Sequence, residues 1–117
     1  MSVFQSTIVK WTEKQRSRLE AIWNSSSAIA FWKSDKKGLP CNSGTELEPA
    51  APGITHNSSG PLKLCSVGTL HATMNPDKWK GERLWVVALF GNVKRENDKF
   101  GALEREILGE IDIGSKN

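Results

Sequence analysis

Tyrosine is absent from this 117-residue chain, and there are only two cysteines. Two thiols, Cys41 and Cys65, cannot build a disulfide framework. One bridge between them is available, but reduced thiols are the plainer reading. Long apolar runs are also missing. The longest strongly apolar stretch, Leu84 to Phe90, has seven residues and is too short to span a bilayer. Met1 to Thr7 shows no basic segment followed by an apolar one, so no secretory leader is expected and a cytoplasmic setting is. On that expectation, Asn24-Ser25-Ser26 and Asn57-Ser58-Ser59 match the glycosylation pattern by chance. Neither a G-x-G-x-x-G loop nor a Walker pattern is present, so no phosphate cradle is legible. An excess of charge of one sign is nearly missing as well. Sixteen cations against thirteen anions leave a net +3, a weak attraction to anionic surfaces that identifies no partner.

What is present is globular. Hydrophobic residues make up 38% and charged residues 25%, a balance that folds rather than one that stays disordered. The length suits a single domain with one real core, 1–117. Five Trp and four Phe carry all the aromatic weight. Each Trp brings a large area to bury and one N–H that needs a partner.

After an extended lead-in over residues 1–10, Thr12-Glu13-Lys14-Gln15 reads as a capping box. Leu19, Ile22 and Trp23 then share a face at helical spacing, which predicts an amphipathic helix over about 13–23. Ala28 to Trp32 reads as a strand, and Ser34 to Gly38 as a turn with Gly38 free to take positive φ. Pro40 to Pro61 holds four of the five prolines, a meander of irregular strands or a functional loop. Leu62–Cys65 and Thr69–Thr73 are short β-like pieces. Asn75-Pro76-Asp77 predicts a brief capped helix that Gly81 stops. Arg83 to Val93 is apolar on both faces and reads as a central strand covered on both sides. Lys94 to Lys99 is polar and turn-like. Ala102 to Ile111 fits two patterns. As a helix, Leu103, Ile107 and Ile111 line one face, and propensity favours this. As a strand it alternates except at Arg105, and Asn97-Asp98 is able to turn a hairpin that returns the chain beside the central strand.

The segment Leu62-Lys63-Leu64-Cys65-Ser66-Val67-Gly68-Thr69-Leu70-His71-Ala72 resembles the core motif of an uncharacterised family of small bacterial and phage or prophage proteins. That motif has the form L-C-x-x-G-x-H-A, from which this chain departs in having two residues, Thr69 and Leu70, between Gly68 and His71; it sometimes lies beside pentapeptide repeats. Ile29-Ala30-Phe31-Trp32 with Asp35 and Gly38, Arg83 to Val87 before Gly91, and Asp98-Lys99 with Arg105 to Leu108 fit the wider order of the family. The resemblance covers roughly residues 28–111, to which residues 1–25 add a helix. It implies a β-rich α+β fold; with the two helices read from the residues, the expectation is a small mostly antiparallel sheet with an N-terminal helix and one short helix packed against it. It also implies a strand for the last segment, a mobile-element setting in a bacterial host, and no established reaction.

Candidate binding residues are His71, Cys65, Trp32, Lys36, Lys37 and Trp79. His71 follows a glycine turn and can serve as a base or a ligand contact, although a lone histidine more often fixes a turn than catalyses. Cys65 and His71 are close enough in sequence to pair as thiolate and imidazole, but nothing marks an orienting group or oxyanion hole. Cys41, His56, Cys65 and His71 are separated by fourteen, eight and five residues, a spacing that matches no compact zinc motif. Lys33, Lys36 and Lys37 beside Trp32, and Lys78 and Lys80 around Trp79, are basic groups next to aromatics. Such groups bind phosphates and stack bases in some proteins and are solvated surface in most. Glu104, Glu106 and Glu110 read as a solvated outer face. No catalytic set, metal site or cofactor is assigned. The expectation is a non-enzymatic protein-binding modulator from a mobile element, acting on a host or defence complex. Its rivals are a small ADP-ribosyl-transfer-like enzyme acting on NAD and a weak nucleic-acid binder.

Overall fold

The structure, a computed structural model, describes residues 11–39, 48–63 and 69–111. The lead-in over 1–10, Cys41 and Cys65 lie outside the described residues; of the strand expected over Leu62–Cys65, Leu62 and Lys63 are not strand and the rest lies outside the described residues.

Helix α1, Glu13–Ile22, begins as the capping box requires. The Thr12 hydroxyl accepts from the Gln15 amide at 3.1 Å, and the Gln15 side chain accepts from the Thr12 amide at 2.9 Å. Leu19 and Ile22 point into the protein. Trp23, expected on the same face, is 53% exposed. The helix meets the sheet along a narrow stripe, and the residue after Ile22 is rotated by about 100° onto the flank.

Seven strands follow: β1 Ala28–Ser34, β2 Thr55–Asn57, β3 Leu70–Thr73, β4 Arg83–Phe90, β5 Lys94–Glu96, β6 Lys99–Ala102 and β7 Glu104–Ile111. They form one antiparallel sheet in the order β2-β7-β4-β1-β3-β6-β5. The segment over 102–111 is therefore strand. Asn97, at φ 56, and Asp98 do turn a hairpin, but it joins β5 to β6. The strand that lies beside β4 is β7. Residues 94–96, expected as turn, pair as the sheet's charged edge, a composition that discourages further strand addition.

Only Leu103 separates β6 from β7, yet three strands lie between them in the sheet order. Laid flat, the two would sit about 19 Å apart at the usual strand spacing, whereas two residues of chain reach only about 7 Å. The sheet therefore curls on itself, and the bent run 99–111 serves both sides of the curl. The curl is looser between β1 and β3, which pair only at Phe31 and Thr73.

The curl separates two apolar clusters. Inside lie Ala30, Trp32, Ala72, Trp85, Val87, Leu89, Phe100, Ala102 and Ile107. Outside, beneath α1, lie Trp11, Leu19, Ile22, Leu84, Val86, Ala88, Leu108 and Ile111. The alternation along β4 is thus divided between two cores, and the strand is covered on both faces as its composition requires. A bulge between Val86 and Val87 in the β4–β7 ladder shifts the register of β7. There the Trp11 indole donates to the Glu110 carbonyl at 3.0 Å and the Gln15 amide to the Leu108 carbonyl at 3.5 Å. A Cβ on Gly109 would lie 2.5 Å from the Trp11 ring, so glycine is what lets the helix start come down on this strand.

Of the β7 glutamates, Glu104 is exposed as expected, whereas Glu106 and Glu110 are paired. Arg18 on α1 holds both oxygens of Glu106 at 2.9 and 2.7 Å, and Arg83 holds both of Glu110 at 2.9 and 2.8 Å. Gly38 takes φ 85, as its turn requires, beside the Ala50 backbone. The expected second helix is a single 3-10 turn, Pro76–Lys78. Asn75 makes no side-chain cap there; its own amide is taken by the Thr73 hydroxyl at 2.9 Å. No helix among the described residues is long and apolar enough to cross a membrane.

Two substitutions test this packing. Ile22→Asp buries an unpaired charge at a position 3% exposed; thermal and urea unfolding should show a loss above about 3 kcal/mol or no folded state at all. Gly109→Ala should cost about 1–3 kcal/mol through its clash with Trp11, with a change in near-ultraviolet dichroism as that indole shifts.

Candidate functional site: a buried arginine inside the curl

On β7, Arg105 and Glu106 are neighbours and therefore point to opposite faces. Glu106 goes out to α1. Arg105 goes in, where it is 2% exposed. Its side chain crosses the interior toward the opposite wall of the curl. One terminal nitrogen donates to the His71 carbonyl on β3 at 2.7 Å. The other donates to Nδ1 of His56 on β2 at 2.9 Å. The guanidinium carbon stands 4.1 Å from the centroid of the Trp32 ring on β1. One side chain thus ties together β7, β3, β2 and β1. Its position also explains the His71 contact, because β1 and β3 have separated by that level and the carbonyl has no strand partner on β1.

The electrostatics are unusual. A buried guanidinium costs several kcal/mol to desolvate, and here its three partners are all neutral: a carbonyl, an imidazole and an indole face. Charge-assisted hydrogen bonds and a desolvated cation–π contact offset that cost. Nε makes no hydrogen bond. Burial pulls the group down from its ordinary value to about 9, which leaves it protonated at neutral pH.

The tautomer of His56 follows from its neighbours. An arginine only donates, so Nδ1 must accept; a carbonyl only accepts, so Nε2 must carry the proton it gives to the Glu48 carbonyl at 2.8 Å. Both ring nitrogens are committed, and His56 has no lone pair left for a metal. Its ring also meets Trp32 edge-on, with centroids 5.7 Å apart. Burial holds its pKa below the ordinary value, the Arg105 charge lowers it further, and Glu48 opposes both. His71 is shifted the same way, first by burial and then by Lys99 and Arg105.

Of the residues singled out in the sequence, Trp32 and His71 meet here through Arg105. Trp32 is 4% exposed beneath the guanidinium, so its ring has no face to offer a base. Lys36 and Lys37 are exposed at the Asp35 turn, away from this cluster; Lys36 Nζ lies 3.9 Å from Glu82. Trp79 is half-buried, and its carbonyl accepts from Lys33 at 3.2 Å. Cys65 and Cys41 lie outside the described residues, and with them the thiolate–imidazole pair. Among the described residues, no three His, Cys, Asp or Glu side chains gather as a metal site. Sequence reading passed over Arg105, although the signal was there: it was the one residue that broke the strand alternation. No family model matches the chain, nor does any curated protein or solved structure.

Arg105→Ala should destabilise the domain by about 3–5 kcal/mol, because it leaves a cavity and orphans two acceptors. Arg105→Lys should recover only part of this, since one ammonium cannot make both bonds and stack on Trp32. Urea midpoints of the three proteins check the order: wild type, then Lys, then Ala.

Proposed function

We propose that this protein is a non-enzymatic binding module that docks a partner protein on the outer flank of α1, with Trp23 as the anchor. The setting implied by the family resemblance, a phage or mobile element acting on a host complex, belongs to the same proposal.

The observation that carries it is the disposition of the five tryptophans. Trp11, Trp32 and Trp85 are buried and Trp79 is half-buried, while Trp23 is 53% exposed. An indole half in water forgoes half of the roughly 1.5–3 kcal/mol that full burial of a large apolar side chain supplies. Trp23 also lies in a shallow groove with Leu19, Ser17, Glu13, Arg16 and Glu20, of about 490 Å³. An aromatic anchor beside a small apolar floor, rimmed by charges of both signs, is the composition of an interaction hot spot. Ile22 and the Arg18–Glu106 pair, none of which lines the groove, hold the helix to the sheet, so the surface is presented on an anchored element.

The test is capture from bacterial host lysate by wild type, Trp23→Ala and Met74→Ala, the last altering the other large exposed apolar side chain among the described residues. A stoichiometric protein held by wild type and Met74→Ala should be lost with Trp23→Ala. The affinity should fall roughly 30-fold or more, the scale of about 2 kcal/mol at a hot spot. Capture indifferent to Trp23, or no specific capture, would remove the reading.

A further inference from the structure

We propose that His56 is an acid-sensitive latch: protonation of its imidazole releases the segment carrying β2 from the sheet edge and uncovers the β7 edge and Arg105. The inference is independent of the α1 surface.

It rests on donor and acceptor geometry. Nδ1 of His56 accepts from Arg105 at 2.9 Å, while Nε2 donates to the Glu48 carbonyl at 2.8 Å. The ring has only one nitrogen able to take another proton, and that nitrogen faces a guanidinium that carries only donors. A protonated ring would set N–H against N–H, and cation against cation, at a position 2% exposed. Among the described residues, the charged groups facing His56 are Arg105 from β7 and Glu48 from the segment preceding β2. Glu48 favours the proton, and its influence is smaller than that of burial and Arg105 together, since the net displacement is downward. From β1 the ring meets only the uncharged Trp32 indole.

What the latch holds is a short edge segment, anchored elsewhere by buried Ala50, whose amide donates to the Gly38 carbonyl at 2.9 Å. β2 is a three-residue edge strand. Its flanks add Gly53 to the Ile107 carbonyl at 2.9 Å, Ile107 to the Ile54 carbonyl at 2.8 Å and Ser58 to the Leu103 carbonyl at 2.9 Å. Short edge segments open locally at far lower cost than central strands. The sign follows from linkage. A histidine whose pKa is lower in the closed form binds more protons in the open one, so the latch is secure above about pH 6.5. It weakens as pH falls below that value, by up to about tenfold in the opening equilibrium per pH unit, until the closed form itself protonates.

Hydrogen exchange read by mass spectrometry at pH 7.5 and 5.0, with labelling times scaled to intrinsic rates, tests this directly. In wild type, peptides over 48–60 should lose protection by tenfold or more at the lower pH while those over 83–90 keep theirs. His56→Gln supplies an amide oxygen for Arg105 and an amide N–H for Glu48 without a titrating group; it should hold the segment closed at both values. His71→Gln should leave the wild-type response intact. Unchanged protection of 48–60 in wild type at pH 5.0 would overturn the latch. So would a response that survives in a folded His56→Gln or vanishes in His71→Gln.

Discussion

The interior of this fold depends on a single cation. Arg105 reaches from β7 across the curled sheet to the His71 carbonyl, the His56 ring and the Trp32 face. A hydrophobic side chain there would fill space but would make no hydrogen bond to the carbonyl that the parting of β1 from β3 leaves open. An unpaired buried acceptor costs about 1–3 kcal/mol, so a long, rigid, multi-donor side chain is the economical way to brace a curl that is not fully hydrogen-bonded. Neutral partners follow from the same logic. They satisfy the guanidinium's donors without burying a second charge, whose desolvation would add several kcal/mol more.

The outer face is organised by a different constraint. β4 is apolar on both sides, and its two rows of side chains need two separate covers. The curl supplies one and α1 the other. The helix is pinned at its start, where Trp11 and Gln15 hydrogen-bond to β7 carbonyls next to a bulge, and along its length by the bidentate Arg18–Glu106 pair. The glycine at 109 is part of this device, because any side chain there would occupy the place of the Trp11 ring. Adjacent residues of one strand thus serve opposite purposes: Glu106 faces out to secure the helix and Arg105 faces in to brace the curl.

Two features stand apart from this economy. Trp23 is left in water at the end of a helix whose neighbours are well anchored. His56 sits between a donor and an acceptor that together permit only its neutral form. The first is a surface without an internal role in packing. The second is a structural bond with a built-in dependence on proton activity. They lie on different elements, α1 and the segment carrying β2, so the proposed binding and the proposed opening can be tested separately.

Elements governed by local chemistry were legible in the sequence. The Thr12–Gln15 box starts α1, Gly38 adopts the positive φ its turn needs, and the doubly apolar run 84–90 became the central strand. Each of these depends on residues a few positions apart. Other outcomes required partners far along the chain. Residues 102–111 match a helix and a strand about equally well, and only pairing with β4 and β2 decided between them. Trp32 is a candidate binding residue by its lysine neighbours and Glu106 reads as solvated, yet the curl buries the first and α1 claims the second. Arg105 looked like a flaw in an alternating pattern. The sequence by itself determined where α1 starts, where the chain turns at Gly38 and where the doubly apolar strand β4 runs. The tertiary structure alone decided which side of each strand became interior, because that depends on how a sheet curls, and curling is a property of all its strands together.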